Sequence, residues 1–242
     1  MAKVTGLNVR LYVEGYDLSG DANALSGMGY TSELLDVTTL DVSARKRIVG
    51  IVDGEIGVEA WFDNASSRQH AVWTSNSGKL PTADQNVLVP MGSAVGDPVV
   101  GLVSKEGSYT VTRSSGSAIA ASATFTANGS GPEFGQMLTA HDDTHSSAGS
   151  GTVVDSGAAT TNGGAGYLHV FSLASGSVTV NLQEATSSGG SYANFMTFST
   201  VAAAAAPTSE RLTMSGNVAR YLKVTTTGTF SNAVIAVGFA RL

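Results

Sequence analysis

Apolar and polar residues alternate with a period of two in many short stretches of this chain, and this period constrains its fold most. In residues 51–62, Ile56, Val58 and Ala60 fall on one face of an extended strand, while Glu55 and Glu59 fall on the other. Successive side chains of a strand point to opposite faces of a sheet, so the alternation predicts a half-buried β-strand. Further strands are predicted at residues 7–13, 87–89, 99–104, 108–113, 119–127, 167–173, 178–182, 193–198, 221–226 and 233–239.

Turn residues separate these short strands, which is typical of β-sandwiches. One short helix is expected at residues 64–73, with Asn64 or Ser66 as its N-cap. Residues 128–166 consist mostly of Gly, Ser, Ala, Thr and Asp, which indicates a long connection. We therefore predict an all-β chain with one short helix, in which residues 1–137 and 167–242 form two β-sandwiches joined by residues 138–166.

The composition excludes several classes of protein. The 242 residues include no cysteine, which removes thiolate nucleophiles and zinc–thiolate sites. No apolar run approaches the roughly 18 residues of a membrane span, and the chain begins without a signal-peptide core, so synthesis in the cytoplasm without membrane insertion is expected. Only 13% of the residues are charged and 55 are Ser or Thr, which suits strands and surfaces that other subunits cover.

The charge distribution disfavours tight nucleic-acid binding. The formal net charge is −6, and no Lys or Arg lies between Arg113 and Arg211, so the middle of the chain supplies no phosphate-binding groove. The one basic cluster, Arg45, Lys46 and Arg47, is better explained as a solvated loop or an intersubunit salt bridge than as a nucleic-acid contact. A weakly repelling wall that lets DNA pass is compatible with this balance.

Three carboxylates share one face of the strand at residues 51–62: Asp53, Glu55 and Glu59. Unpaired buried charge is costly, so this face meets water, a cation or a partner. A general acid/base pair is the alternative, but glycosidase carboxylates usually come from different strands and lie among aromatic rings, and aromatic residues make up only 7% here. A solvated or subunit-facing acidic stripe is therefore the preferred interpretation.

Two histidines four residues apart, His141 and His145, flank Asp142 and Asp143. Imidazoles and carboxylates are ligands for divalent cations, but the surrounding Gly/Ser-rich sequence does not predict a helix that would make them converge. An exposed polar turn is preferred over a metal site. The chain also contains no nucleophile elbow, dinucleotide fingerprint or P-loop, so we predict no catalytic residue, no cofactor, no metal and no enzyme activity.

Several stretches of the chain resemble major tail proteins, the tube-forming subunits of long-tailed (siphovirus) bacteriophages. They are YDLSGDANALSG (16–27), ELLDVTTLDVSARKRIVGIVDGEIGVEAWFDN (33–64), and HAVWTS followed by LPTADQNVLVPMGSAVGDPVVGLVSKEGSYTVTR (70–113). Later stretches with the same likeness are GYLHVFSL, VTVNLQEATSSGGSYANF and APTSERLTMSGNVARYLKVTTTGTF. The resemblance covers nearly the whole chain, and it lies in the order of the segments and in their residue composition.

This resemblance implies a structural protein of the virion tail. The tail-tube-like sandwich of residues 1–137 would form hexameric rings that stack into the conduit for DNA during ejection, and residues 167–242 would decorate the outside. The carboxylates Asp53, Glu55 and Glu59 would line the lumen or a ring contact, and Arg45, Lys46 and Arg47 would meet acidic residues of the next ring. Implied partners are other copies of the chain, tape-measure and tail-terminator proteins, passing DNA and host-surface glycans.

Two other functions stay open at this point. A capsid decoration protein, or another virion surface protein with a carbohydrate-binding-like sandwich, would share the β-rich composition. A secreted glycan-binding module or glycosidase is the second, and the scarce aromatic residues and missing signal sequence argue against it.

Overall fold

A computed structural model describes residues 6–75 and 77–242, and it confirms an all-β chain with one short helix. The amino-terminal half contains β1 (Tyr12–Val13), β2 (Tyr16–Asp17), β3 (Ala22–Asp36), β4 (Arg47–Trp61), helix α1 (Gln69–Trp73), β5 (Gln85–Pro90), β6 (Pro98–Thr112), β7 (Ala120–Ala127) and β8 (Glu133–Met137). The remainder contains β9 (Asp143–His145), β10 (Gly149–Ser150), β11 (Val154–Asp155), β12 (Gly164–Ala185), β13 (Ala193–Thr197), β14 (Val201–Ala202), β15 (Thr208–Met214), β16 (Tyr221–Thr227) and β17 (Phe230–Arg241), with a 3₁₀ turn at Ala203–Ala205. Within the described residues, no helix is long enough to cross a membrane.

An antiparallel four-stranded sheet in the order β3–β4–β7–β6 dominates the amino-terminal half. Its inner face packs against β1, β5 and α1 around a core that includes Ile56, Trp73, Leu102 and Phe125. Each fully buried side chain of this size contributes about 1.5–3 kcal/mol to folding. The core therefore holds the sheet firmly along one face and leaves the other face uncovered.

Helix α1 is shorter than predicted. Residues expected as its first turn form a turn in which Ser67 adopts φ +65°, and the N-cap is Arg68, without a side-chain capping bond. The backbone N–H of Gln69 instead donates to Asp21 Oδ2 at 3.1 Å, from a residue 48 positions away. The N-cap prediction at Asn64 or Ser66 is wrong because a tertiary partner satisfies this helix terminus.

The strand predicted at residues 7–13 is also shorter than expected. Leu7 is exposed and Asn8 adopts φ +65°, so regular pairing begins only at Tyr12. Tyr12 and Val13 are both fully buried, because the two faces of β1 contact different apolar clusters. Alternation of burial therefore fails where a strand is covered on both sides.

A single strand of 22 residues, β12, belongs to both sheets of the carboxyl-terminal half. Its first part pairs with β15 and β17, and its second part pairs with β13 and β16. Two separate strands were predicted here, and they are joined through Gly176, whose φ of +78° accommodates the turn between the sheets. Val170, Leu182, Val224 and Ile235 lie in the core between the sheets.

The two halves meet along a continuous hydrogen-bonded seam. Strand β8 pairs with β6 on one side and with β17 on the other. Beside it, Glu133 accepts hydrogen bonds from the Tyr167 hydroxyl (2.6 Å) and from Arg211 Nε (3.0 Å). Residues 138–166 carry strands β9, β10 and β11, which pair with β17 and β16, so the predicted connection is built into the carboxyl-terminal sheets.

Candidate assembly surfaces

The outer parts of β3 and β4 form a two-stranded ribbon, residues 31–52, which we call the arm. Strand β4 first pairs with β7 at Glu55, so the arm has no third strand among the described residues. All its residues are exposed except Val42 and Gly50, which are half-buried. A two-stranded ribbon is marginally stable alone in water, so contact with another surface would stabilise this arm.

Both faces of the arm carry apolar pairs. Leu34 lies opposite Val49, with 60% and 67% of their surfaces exposed, and Leu35 lies opposite Ile48, at 42% and 52%. Adjacent pairs of an antiparallel ribbon point to opposite faces. Exposed apolar side chains on both faces of one ribbon are a feature of interaction sites.

The tip of the arm holds the predicted basic cluster. Arg45, Lys46 and Arg47 are all exposed, and Arg45 Nε lies 4.0 Å from Asp36 Oδ2. The backbone N–H of Lys46 donates to Thr38 Oγ1 at 2.9 Å, which orders the tip. Within the described chain, the side chains of Lys46 and Arg47 take part in no salt bridge, so their charges face outward.

The arm joins the four-stranded sheet next to Gly54, which packs against Pro132 and Gly29. A Cβ atom at this position would overlap Pro132 and lie 2.7 Å from the carbonyl oxygen of Gly29. The Tyr30 ring contacts Phe134 edge-on nearby, with centroids 6.3 Å apart. A residue without a side chain is therefore required where the arm leaves the sheet.

The outer face of the four-stranded sheet carries the predicted carboxylates. Asp53, Glu55 and Glu59 are exposed, whereas the intervening Ile56 and Val58 are buried, as the alternation predicted. In the described structure these carboxylates make no salt bridge. The neighbouring positions on β7 and β6 are hydroxyl-bearing: Ser108, Thr110, Ser122, Thr124 and Thr126.

One cation lies at the margin of this face. Lys105 is opposite Thr126, and its Nζ is 2.7 Å from Asp84 Oδ1, which neutralises it. The outer face therefore combines small hydroxyl groups with uncompensated negative charge.

Both long edges of the four-stranded sheet are free in the described structure. Strand β3 pairs only with β4, and β6 pairs only with β7 beyond Lys105. Such edges present rows of unpaired N–H and C=O groups that template pairing with another chain. Lys, Pro and a short length commonly protect the edges of monomers, yet residues 108–112 of β6 contain none of these devices.

The histidines at positions 141 and 145 lie in different surroundings. His141 packs edge-on against the Tyr12 ring, whereas His145 lies on β9 with Nε2 3.3 Å from Asp143 Oδ2. No group of three or more His, Asp or Glu side chains converges as a metal site among the described residues.

The arm and its exposed apolar residues are the features that sequence reasoning missed. Ile48, Val49, Ile51 and Val52 occupy positions on both faces of β4, so the period-two pattern breaks there. This break in the alternation is the signal in the sequence that indicates the arm. Trp73 is buried in the core, whereas Trp61, at the end of β4 that lies opposite the arm, is half exposed.

An antiparallel sheet with two free edges and a protruding arm is an arrangement that favours association with other chains. No protein-family model matches the sequence, and no curated protein matches it. Solved structures similar to it include the tail of an empty gene transfer agent particle, at 17% identity over 47% of this chain and 81% of the other, with a TM-score of 0.36. The anti-feeding prophage cap that terminates its tube is 9% identical over 56% of this chain and 93% of the other, with a TM-score of 0.44.

A further similar structure is the Dit protein of phage SPP1, a component of its hub adsorption apparatus. It is 10% identical over 96% of this chain and 99% of the other, with a TM-score of 0.37. The similar structures thus come from a gene transfer agent particle, an anti-feeding prophage and a phage.

Proposed function

We propose that this protein is a non-enzymatic structural subunit of a phage tail, which polymerises as stacked hexameric rings into the tail tube of a siphovirus. The observation that carries the proposal is the four-stranded sheet with two free edges. Open sheet edges promote association with other chains, so a sheet with two open edges favours an assembled protein over a monomer.

The strand number of this sheet suits closure into a ring. With strands in the order β3–β4–β7–β6, β6 of one copy runs antiparallel to β3 of a neighbour related by rotation. Six copies supply 24 strands, and strands about 4.8 Å apart, tilted by about 40°, enclose a barrel about 50 Å across. This barrel is wide enough for a DNA duplex.

The direction of curvature follows from what covers each face. The inner face of the sheet is already covered by β1, β5 and α1, so a closed ring directs the uncovered face towards the lumen. Asp53, Glu55 and Glu59 would then line the channel. Negative charge repels phosphates and offers no counterion release, so DNA would slide through without binding.

Stacking would be the task of the arm, which extends beyond the sheet and carries Arg45, Lys46 and Arg47 at its tip. Heterologous stacking produces an open filament, so other tail proteins must begin it and limit its length. Tape-measure and tail-terminator proteins, host-surface glycans on the outer sandwich of residues 167–242, and location in the virion tail stay predictions.

Electron microscopy of the purified protein at high concentration tests the proposal, with six-fold tubes as the expected result. The neighbouring variants Thr110→Pro and Val111→Pro refine it, because successive N–H groups of a strand point to opposite edges. At one of these two positions the N–H bonds to β7, so proline there removes that bond and lowers the melting temperature. At the other position the N–H points to the free edge, so proline there should keep the wild-type melting temperature and abolish rings. Wild-type protein that remains monomeric at every concentration contradicts the proposal.

A further inference from the structure

We propose that Asn128 is a site of spontaneous deamidation, at which the folded chain turns a side-chain amide into a carboxylate. The chain contains two Asn–Gly pairs, Asn128–Gly129 and Asn162–Gly163. Because glycine has no side chain to hinder its own backbone nitrogen, this nitrogen attacks the preceding side chain most readily in such pairs. Both pairs are therefore reactive in an unfolded chain. The fold leaves the first pair free to react and protects the second, and this inference does not depend on the proposed function.

The reaction needs water and a backbone that can rotate. The nitrogen of Gly129 gives its proton to water and attacks Cγ of Asn128, the bond between Cγ and Nδ2 breaks, and ammonia leaves with a proton from water. The cyclic imide then adds a water molecule and opens to aspartate or isoaspartate. Nothing is oxidised or reduced. The chain gains one dalton in mass and, at neutral pH, one negative charge.

Gly129 meets both conditions. It is exposed in the loop between β7 and β8, and its N–H takes part in no hydrogen bond in the described structure. Its φ is +86°, and a Cβ atom placed on it would meet no neighbour within 4 Å. The peptide group between Asn128 and Gly129 therefore has water around it and room to rotate towards Cγ.

The second pair lies in a packed backbone. Asn162 is exposed, but Gly163 is buried, and a Cβ atom on Gly163 would overlap the carbonyl oxygen of Met214. The carbonyl oxygen of Gly163 accepts a hydrogen bond from the N–H of Leu242 at 3.2 Å, and β12 begins at the next residue. Rotation of this peptide group would break these contacts, so the fold protects Asn162.

Deamidation of Asn128 would disrupt a polar contact among three strands. Asn128 follows β7, and its Nδ2 donates to Asp84 Oδ1 at 2.8 Å, just before β5, while Lys105 Nζ on β6 lies 2.7 Å from the same oxygen. The hydrogen bonds from Lys105 and Asn128 lower the pKa of Asp84, so its carboxyl is ionised at neutral pH. An ionised carboxylate at position 128 is only an acceptor, so it would repel Asp84 and leave one lysine between two negative charges.

Mass spectrometry of stored protein tests the inference. Trypsin leaves both pairs in one peptide, because no Lys or Arg lies between Arg113 and Arg211, but cleavage after glutamate separates them into residues 107–133 and 134–184. At mildly alkaline pH we expect Asn128 to gain one dalton at least tenfold faster than Asn162 in the folded protein, and both to react at similar rates in denaturant. A smaller difference in the folded protein, an unmodified Asn128, or a difference that persists in denaturant would overturn the inference.

Aspartate substitutions test the consequence for stability. Asn128→Asp places the deamidated side chain beside Asp84, and we expect it to lower the melting temperature by about 2–4 °C, as the loss of one hydrogen bond to a charged group would. Asn162→Asp adds the same charge and is the matched control, because Asn162 Oδ1 accepts from Thr161 Oγ1 at 3.4 Å and aspartate keeps that acceptor. Equal melting temperatures of the two variants would overturn the predicted effect on the three strands.

Discussion

At the scale of single residues, two buried titratable groups should make stability depend on pH. Glu106 on β6 is almost fully buried, and neither carboxylate oxygen has a hydrogen-bond partner in the described structure. Burial raises the pKa of Glu106 to about 8. His169 is fully buried at the seam, where its Nδ1 accepts a hydrogen bond from the N–H of Gly15 at 3.2 Å. Burial lowers the pKa of His169 to about 3.

Glu106 should destabilise the fold as the pH rises. An unfolded carboxyl loses its proton near pH 4.5, whereas the folded one keeps it until about pH 8, so stability falls between these values. We expect Glu106→Gln to remove this slope, about 1.4 kcal/mol per pH unit, and to raise the melting temperature at pH 8. Thermal melts from pH 4 to 9 measure it, with the exposed Glu59→Gln as control. Equal slopes for wild type and Glu106→Gln contradict the assignment.

His169 should act in the opposite direction. Because the unfolded imidazole gains a proton near pH 6.5 and the folded one only near pH 3, stability falls as the pH drops through this window. An asparagine side chain in its place would keep an acceptor for the N–H of Gly15 without titrating, so His169→Asn should have a shallower loss of stability between pH 6.5 and 4. Denaturant titrations at several pH values test this, and an unchanged dependence would refute it.

At the scale of elements, the sequence predicts those strands that complete themselves within one chain. Residues 56–60 alternate as predicted because β4 is buried there on one face only. Residues 48–52 break the pattern because the arm has no covering layer of its own. The start of α1 depends on Asp21, and the pairing of β12 with two sheets depends on residues of β15, β16 and β17 that lie at least 36 positions away. Such tertiary contacts leave no local signal.

The exit of the arm depends on Gly54. A side chain there would collide with Pro132 and approach the backbone of Gly29, so Gly54→Ala should redirect the arm. We expect a folded protein, destabilised by about 1–3 kcal/mol, that assembles poorly. Gly29→Ala is the matched control, because a Cβ atom there meets no neighbour within 4 Å. Circular dichroism and micrographs of both variants test the prediction. Gly54→Ala tubes equal to those of Gly29→Ala would contradict it.

At the scale of the whole molecule, the free subunit and the assembled subunit should differ in protease sensitivity. Lys and Arg number only 13, and three of them lie together at the exposed tip of the arm. Trypsin should therefore cut the free subunit first at residues 45–47, giving one small and one large fragment. Docked arms should resist cleavage at least tenfold longer. Mass spectrometry of timed digests gives the sites, and equal cleavage of tubes and free subunits would argue against buried arms.

The strand shared by both carboxyl-terminal sheets has a mechanical consequence. Because β12 continues from one sheet into the other and borders β17, which pairs with β8 and through it with β6, a pull on residues 167–242 would travel along hydrogen-bonded backbone. Within the described residues, paired strands make up this whole path. In the proposed tube, a force applied to these residues would therefore be transmitted directly to the four-stranded sheet that we propose lines the channel.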